Sequence, residues 1–241
     1  NNHFHTTADP CKKQDYVFNF SGISDIDECK VDPINTCRQN ILANTLLLEA
    51  AKINKVKRFF FASSIYVYSD SGSFYKVSKQ ASESMIECYK DVFNLNYTVL
   101  RYGSVYGPRS DERNAIYRYI NSAITKNKIE CSSDPNAVRE YIHVKDAAKM
   151  TVNLVKDKYK NNCYTLTGTE KFKIKEVIEI IKKIISRKKI HVLFNKRLPD
   201  EHYVLTPYKY TPRLGKKIVT DEFHELGQGI LELVEHLSSN Q

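Results

Sequence analysis

Ser63-Ser64-Ile65-Tyr66-Val67-Tyr68-Ser69-Asp70-Ser71-Gly72-Ser73-Phe74-Tyr75-Lys76-Val77-Ser78-Lys79 is the stretch on which the reading of this 241-residue chain turns. It follows Phe59-Phe60-Phe61-Ala62, a short, bulky run without charge. Such a run, bounded by polar residues, suits a strand buried on both faces. The serines then sit where that strand ends, and open parallel sheets bind ligands just beyond the carboxyl ends of their strands. Tyr75 and Lys79 are four apart and share one face of a helix. A phenol ionises near pH ~10, too high for a base at neutral pH. An ammonium close by favours the phenolate, so Lys79 is expected to lower that value. A hydroxyl such as Ser64, near the same reacting oxygen, relays or holds the proton. Together the three suit proton transfer at a carbinol coupled to hydride transfer. A Tyr and a Lys four apart are also common on solvated helix faces. The buried strand and the serine pair before them give the spacing its weight.

The stretch resembles the active-site segment of the extended short-chain dehydrogenase/reductase family, the NAD-dependent sugar epimerases and dehydratases. That pattern runs S-S-x-x-V-Y-G and then Y-x-x-S-K. Here it stands as Ser63-Ser64-Ile65-Tyr66-Val67-Tyr68-Ser69 and Tyr75-Lys76-Val77-Ser78-Lys79. The resemblance implies Ser64 as the catalytic hydroxyl, Tyr75 as the acid/base and Lys79 as the activating, ribose-binding lysine. Ser69 departs from the usual glycine, and the spacer from Ser64 to Tyr75 is short.

Composition sets bounds. The chain is long enough for one large domain, and 41% apolar content is ordinary for a globular protein. No run of about 18 apolar residues exists, so no membrane span is expected. No secretory leader pattern is present. The six cysteines form no C-x-x-C pair. Free thiols in a reducing cytoplasm are the expectation, and no metal site is. The net charge of +9 is spread out, apart from Arg187-Lys188-Lys189. Nucleic acid is therefore not the expected partner, while the diphosphate of a nucleotide sugar suits mild basicity.

Residues 1–15 show no periodicity and are expected to be peripheral or disordered. Tyr16-Val17-Phe18-Asn19-Phe20 reads as a strand ending at Ser21-Gly22. Relatives have two small residues there, with backbone against the dinucleotide, and Gly22 permits close approach. Asp32-Pro33 opens a helix. Ile34, Cys37, Ile41, Thr45 and Leu48 follow at helical spacing and read as its core stripe. Asn40-Ile41-Leu42-Ala43-Asn44-Thr45 resembles the family's N-[IV]-x-G-T, which implies that Asn40 steadies the strand ends or touches the cofactor. After the Tyr75–Lys79 helix, extended to about Phe93, Tyr97-Thr98-Val99-Leu100-Arg101 reads as another buried strand. Tyr102-Gly103-Ser104-Val105-Tyr106-Gly107-Pro108-Arg109 continues it and, with Leu100-Arg101, resembles L-R-x-x-N-V-Y-G-P-R. The resemblance puts Tyr102 beside the nicotinamide and Ser104, in place of Asn, with Arg109 at the sugar nucleotide. Arg113 to Lys126 reads as a helix.

Val138-Arg139-Glu140-Tyr141-Ile142-His143-Val144-Lys145-Asp146-Ala147-Ala148 resembles R-[DE]-[YF]-[IV]-[HY]-V-x-D-x-A. It implies Arg139 as the diphosphate clamp, a role that suits a guanidinium. His143 reads as structural. Strands at Asn162-Cys163-Tyr164-Thr165-Leu166 and Ile190 to Phe194, an amphipathic helix Ile174–Ile185 and a last helix Gly229–Leu237 complete a smaller lobe. Aromatic and basic residues between His202 and Lys217, Tyr208 among them, are expected to line its pocket.

The family's opening strand, G-x-x-G-x-x-G turn and helix, which hold the pyrophosphate, have no counterpart: no glycine precedes Gly22. The chain therefore reads as a fragment or a degenerate relative, expected to bind NAD weakly or not at all. The fold expected is α/β, a mostly parallel Rossmann-like sheet with helices on both faces over residues 16–160. A small α/β substrate lobe is expected over 161–241, with contributions from 103–140. The function expected is NAD-dependent epimerisation of a nucleoside-diphosphate sugar through a transient keto sugar, with surface-polysaccharide synthesis as its setting. NADP and a homodimer stay open. Dehydratases of the family carry Asp-Glu after the catalytic hydroxyl; Ile65 and Tyr66 stand there instead, which favours an epimerase or reductase. The rival from another class is a non-catalytic relative that binds nucleic acid or protein.

Overall fold

The apolar run becomes the second strand of a parallel sheet. The protein is described by a computed structural model over residues 10–185 and 190–195. In chain order the elements begin with β1 (Tyr16–Asn19), α1 (Ile26–Val31), α2 (Pro33–Thr36), a π-helical turn (Cys37–Leu42) and α3 (Ala43–Ile53). Then come β2 (Arg58–Ser64), a 3₁₀ turn (Ile65–Tyr68), α4 (Ser73–Phe93), β3 (Tyr97–Tyr102) and β4 (Ser104–Tyr106). They continue with α5 (Ala115–Lys126), β5 (Lys128–Cys131), β6 (Val138–His143), α6 (Val144–Asn153) and a 3₁₀ turn (Asp157–Tyr159). The series ends with β7 (Asn162–Leu166), β8 (Lys171–Lys173), α7 (Ile174–Ile185) and β9 (His191–Phe194).

Among the described residues the main sheet has the order β1-β2-β3-β7, parallel throughout. β2 lies inside it, and Phe59, Phe60 and Phe61 are fully or almost fully buried. Alternation sends them to opposite faces. Phe59 and Phe61 join Leu48, Ile86 and Val99 on one side, and Phe60 joins Leu100, Ile142 and Leu166 on the other. Burying one such phenyl ring contributes about 1.5–3 kcal/mol. A third core gathers around Tyr119, Ile129 and Ile178. Strands β4-β6-β8 and β5-β9 form two small sheets.

Three expectations are corrected. The helix from Pro33 has its Asp32 cap, but it is broken by the π turn, and of its predicted stripe only Leu48 is fully buried. Ile34 and Cys37 are exposed, while Thr36, Asn40, Asn44 and Leu48 face inward. A spacing of four drifts around an α-helix, and the wider π turn restores the line. Most of these buried polar groups have specific partners, Asn44 Nδ2 being the exception. Thr36 Oγ1 donates to the Asp32 carbonyl at 2.9 Å, and Asn19 Nδ2 donates to Asn44 Oδ1 at 2.9 Å. Second, the segment before Tyr16 is not wholly peripheral: Cys11 is fully buried in the core with Leu48 and Phe59. One small residue leaves no periodic trace in a sequence. Third, β7 belongs to the main sheet, paired with β3 from Thr98↔Asn162 to Tyr102↔Leu166. Its mixed polar pattern, with only Leu166 buried, hid that membership. Residues 1–9, the His202–Tyr208 strand, Tyr208 itself and the Gly229–Leu237 helix lie outside the described residues.

Candidate active site

The carboxyl ends of β1, β2 and β3 open into a cleft of about 810 Å³. Ser64 ends β2 and caps the 3₁₀ turn, its Oγ accepting from Tyr66 N at 3.3 Å. Gly72 then turns the chain into α4. Its φ is +105°, and a Cβ there would stand 2.8 Å from the Tyr66 ring. This left-handed glycine lets the short spacer return Tyr75 to the strand end that carries Ser64. The Ser64 hydroxyl is hydrogen-bonded to the Tyr75 phenol. Tyr75 and Lys79 both lie on the buried side of α4, and Ser64, Tyr75 and Lys79 all line the cleft. The predicted trio is thus brought together.

Its electrostatics differ from the simple expectation. Burial pushes the Tyr75 phenol up to about 12, offset in part by the Ser64 hydrogen bond. The neighbouring Lys79 does not outweigh that burial. Lys79 Nζ donates to the Ala62 carbonyl at 2.9 Å and lies over the Phe61 ring, 4.8 Å from its centroid. It is 5.9 Å from the Tyr75 ring centroid. Burial pushes the lysine down to about 8, against opposing effects of Cys29 and Glu83. Both groups pay the cost of leaving water, and that cost exceeds their mutual help.

The other expected residues divide. Ser21, Gly22, Tyr102, Ser104 and Arg139 line the cleft. Asn19 Oδ1 accepts from both Ser21 N and Ser21 Oγ, at 3.0 and 2.6 Å. Asn40 stands behind the wall. Its Oδ1 accepts from Ile23 N at 2.7 Å, and its Nδ2 donates to the Ile23 carbonyl at 3.0 Å and to Ser78 Oγ at 2.9 Å. It thereby ties the loop after β1 to α4. Gly22, at φ +120°, has Asn40 Oδ1 2.5 Å from where a Cβ would sit. Arg139 is buried, and its Nη1 donates to the Val138 carbonyl at 3.1 Å. Arg109 lies on an exposed turn at φ +69° and is not among the residues that line the cleft. His143 caps α6, its Nδ1 accepting from Lys145 N at 3.3 Å. Among the described residues no three His, Cys, Asp or Glu side chains gather as a metal site, and no helix is long and apolar enough to cross a membrane.

Sequence reasoning missed the pair under the strand end. Arg101 donates from Nε to Glu83 Oε1 at 3.0 Å and from Nη2 to Oε2 at 2.5 Å. Glu83 is four residues beyond Lys79, so the helical period alone could have drawn it to the same face.

The profile of the NAD dependent epimerase/dehydratase family matches residues 5–166. The chain belongs to this family. The uncharacterized UDP-glucose epimerase YtcB of Bacillus subtilis (strain 168) is 28% identical over 162 residues, 62% of this chain and 51% of that protein. A putative UDP-glucose 4-epimerase of Methanocaldococcus jannaschii is 26% identical over 218 residues, 83% of this chain and 70% of that protein. The chain thus spans about half the length of the first relative. The UDP-glucuronic acid 4-epimerase of Bacillus cereus, solved with UDP-glucuronic acid and NAD, superposes with a TM-score of 0.75 at 23% identity. That match covers 83% of this chain and 71% of the other. The α/β Rossmann fold of the family is therefore the fold of this chain.

The residues present fit one end of a dinucleotide. Two small residues, Ser21 and Gly22, face the cleft that Tyr75 and Lys79 also line. This leaves room for a flat ring and a ribose against backbone.

Proposed function

We propose that this chain carries the catalytic centre of an NAD-dependent epimerase acting on a nucleoside-diphosphate sugar. The observation that carries the reading is the shared cleft lining of Ser64, Tyr75 and Lys79 at the end of β2. NAD, held at Ser21, Gly22, Tyr102 and Lys79, would accept and return a hydride and set a positive ring beside the phenol. Tyr75 takes the proton of a sugar hydroxyl as the carbinol C–H bond breaks, which leaves a keto sugar. Ser64 holds the reacting oxygen and passes the proton. Tyr75 gives the proton back when hydride returns to the opposite face. A neutral phenol near 12 needs added positive charge to become this base, and the cofactor ring and Lys79 are its two sources.

Arg139 is proposed to bind the diphosphate, with Ser104 near the sugar. Arg139→Ala should raise KM for a UDP-sugar more than it lowers kcat, because the diphosphate does not react. Steady-state kinetics checks this, and an unchanged KM with collapsed kcat would place Arg139 at the reacting centre. Ile65 is buried and Tyr66 lines the cleft where a dehydratase would need its acid pair. That observation supports epimerisation over dehydration. The free thiols of the described residues support a cytoplasmic setting. Exposed Leu42, Leu46 and Ile53, with Phe74 and Val77 of α4, support pairing of two copies, which sedimentation would test.

A further inference from the structure

The three reacting side chains come from two elements. Ser64 ends β2, while Tyr75 and Lys79 stand on α4 beyond the 3₁₀ turn. One buried cluster touches all of these elements. Arg101 on β3 is the register partner of Ser63 on β2, so both side chains leave the sheet on the same face. Glu83, one turn past Lys79 on α4, meets them there. Ser63 Oγ donates to Glu83 Oε1 at 2.5 Å, and Arg101 holds both carboxylate oxygens. Arg101 Nη1 donates to Tyr68 Oη at the end of the 3₁₀ turn, with the guanidinium over the Tyr68 ring. The ion pair is largely sheltered, with side-chain exposures of 17% for Arg101 and 9% for Glu83.

We propose that Glu83 and Arg101 are positioning residues of the catalytic centre, a pair that locks the β2 end, the 3₁₀ turn and α4 into the one register that sets Ser64 against Tyr75 and Lys79. The inference rests on the proposed reading of that centre. A buried, bidentate pair is costly to form and costlier to half-break. That suits a lock better than a general source of stability. A misplacement of about 1 Å in a catalytic geometry costs about 10²-fold in rate. The groups facing Lys79 are Tyr75 and Glu83 of its own helix, Cys29 of α1, the Ala62 carbonyl of β2 and the Phe61 ring. Of these, Cys29 and Glu83 are the ones that favour its ammonium form. Glu83 thus acts on position and on charge.

The test uses the full-length protein with Glu83→Gln, Arg101→Met, the double variant and Tyr75→Phe. Glu83→Gln keeps size but sets an amide N–H against Arg101. The expected result is a loss of kcat of about tenfold or more, with KM for a UDP-sugar within about threefold. The double variant should lose no more than the worse single one, because the two act as a unit. The Lys79 titration midpoint, read by carbon NMR of labelled lysine, should fall by about half a pH unit or more when the carboxylate charge goes. A kcat within about twofold and an unmoved midpoint would overturn the proposal. So would losses that simply add, which would mean separate structural roles. If Glu83→Gln does not fold, Ser63→Ala keeps the ion pair and cuts only the tether to β2. A several-fold loss of kcat at unchanged Tm then supports the lock, and unchanged kcat overturns it. An active Tyr75→Phe would instead sink the reading of the centre itself, whereas an inactive one beside a normal Glu83→Gln sinks only the lock.

Discussion

Tyr75 and Tyr89 stand on the same buried side of α4, near its opposite ends. Both phenols are pushed up to about 12, and in both the largest cause is burial. Their second partners differ. Tyr89 donates to Glu49 Oε2 at 3.0 Å, and that carboxylate holds the phenol protonated. Tyr75 meets the neutral Ser64 hydroxyl, which favours its ionised form, and has Lys79 one turn away. One phenol is tied shut by a negative neighbour. The other is poised, awaiting positive charge from the cleft. A raised pKa alone therefore does not mark a reactive group; the sign of its nearest partner does.

The comparison breaks most visibly at Lys79. Lys79→Ala should lower turnover about 10²–10⁴-fold in the full-length protein, since general acid–base help of that size depends on the phenolate. Initial-rate assays decide it, and a loss below about twofold would leave Tyr75 no better placed than Tyr89. Ser64→Ala should cost about tenfold, because it removes a hydrogen bond that favours ionised Tyr75. The pH profile sharpens the contrast. Phenolate grows with pH toward about 12, while Lys79 loses its charge above about 8, so turnover should climb to about pH 8 and then decline. A profile that keeps rising well past that point would remove Lys79 from the mechanism. Tyr89→Phe should have the smallest effect: turnover within about twofold and about 1 kcal/mol of stability lost by urea denaturation, for one partly exposed hydrogen bond to a carboxylate.

Much of this was legible in the chain. The Phe59–Ala62 run predicted a buried strand because no charge interrupts it, and β2 is such a strand. The Tyr75–Lys79 spacing predicted a helix extending to Phe93, where α4 ends. Ile174–Ile185 was read as a helix, since its isoleucine stripe is strong. Polar specificity was less legible. Thr36, Asn40 and Asn44 are buried because each has a defined partner, and a hydrophobic pattern chose Ile34 and Cys37 instead. Arg109 was assigned to the sugar nucleotide by its motif alone, and it stands on an exposed turn after Gly107. Glu83 shares the face of Lys79 by helical period, but its pairing with Arg101 joins a helix to a strand, a contact no local period reveals.

The central claim is that Tyr75 takes the proton when the substrate carbinol is oxidised. It is tested most directly by mixing full-length protein and NAD with a UDP-sugar in a stopped flow and following the absorbance of reduced nicotinamide in a single turnover. The account predicts a rapid transient rise in the parent protein and in Tyr89→Phe, and a rise slowed at least about 10²-fold in Tyr75→Phe. A Tyr75→Phe protein that forms reduced nicotinamide as fast as the parent would contradict it.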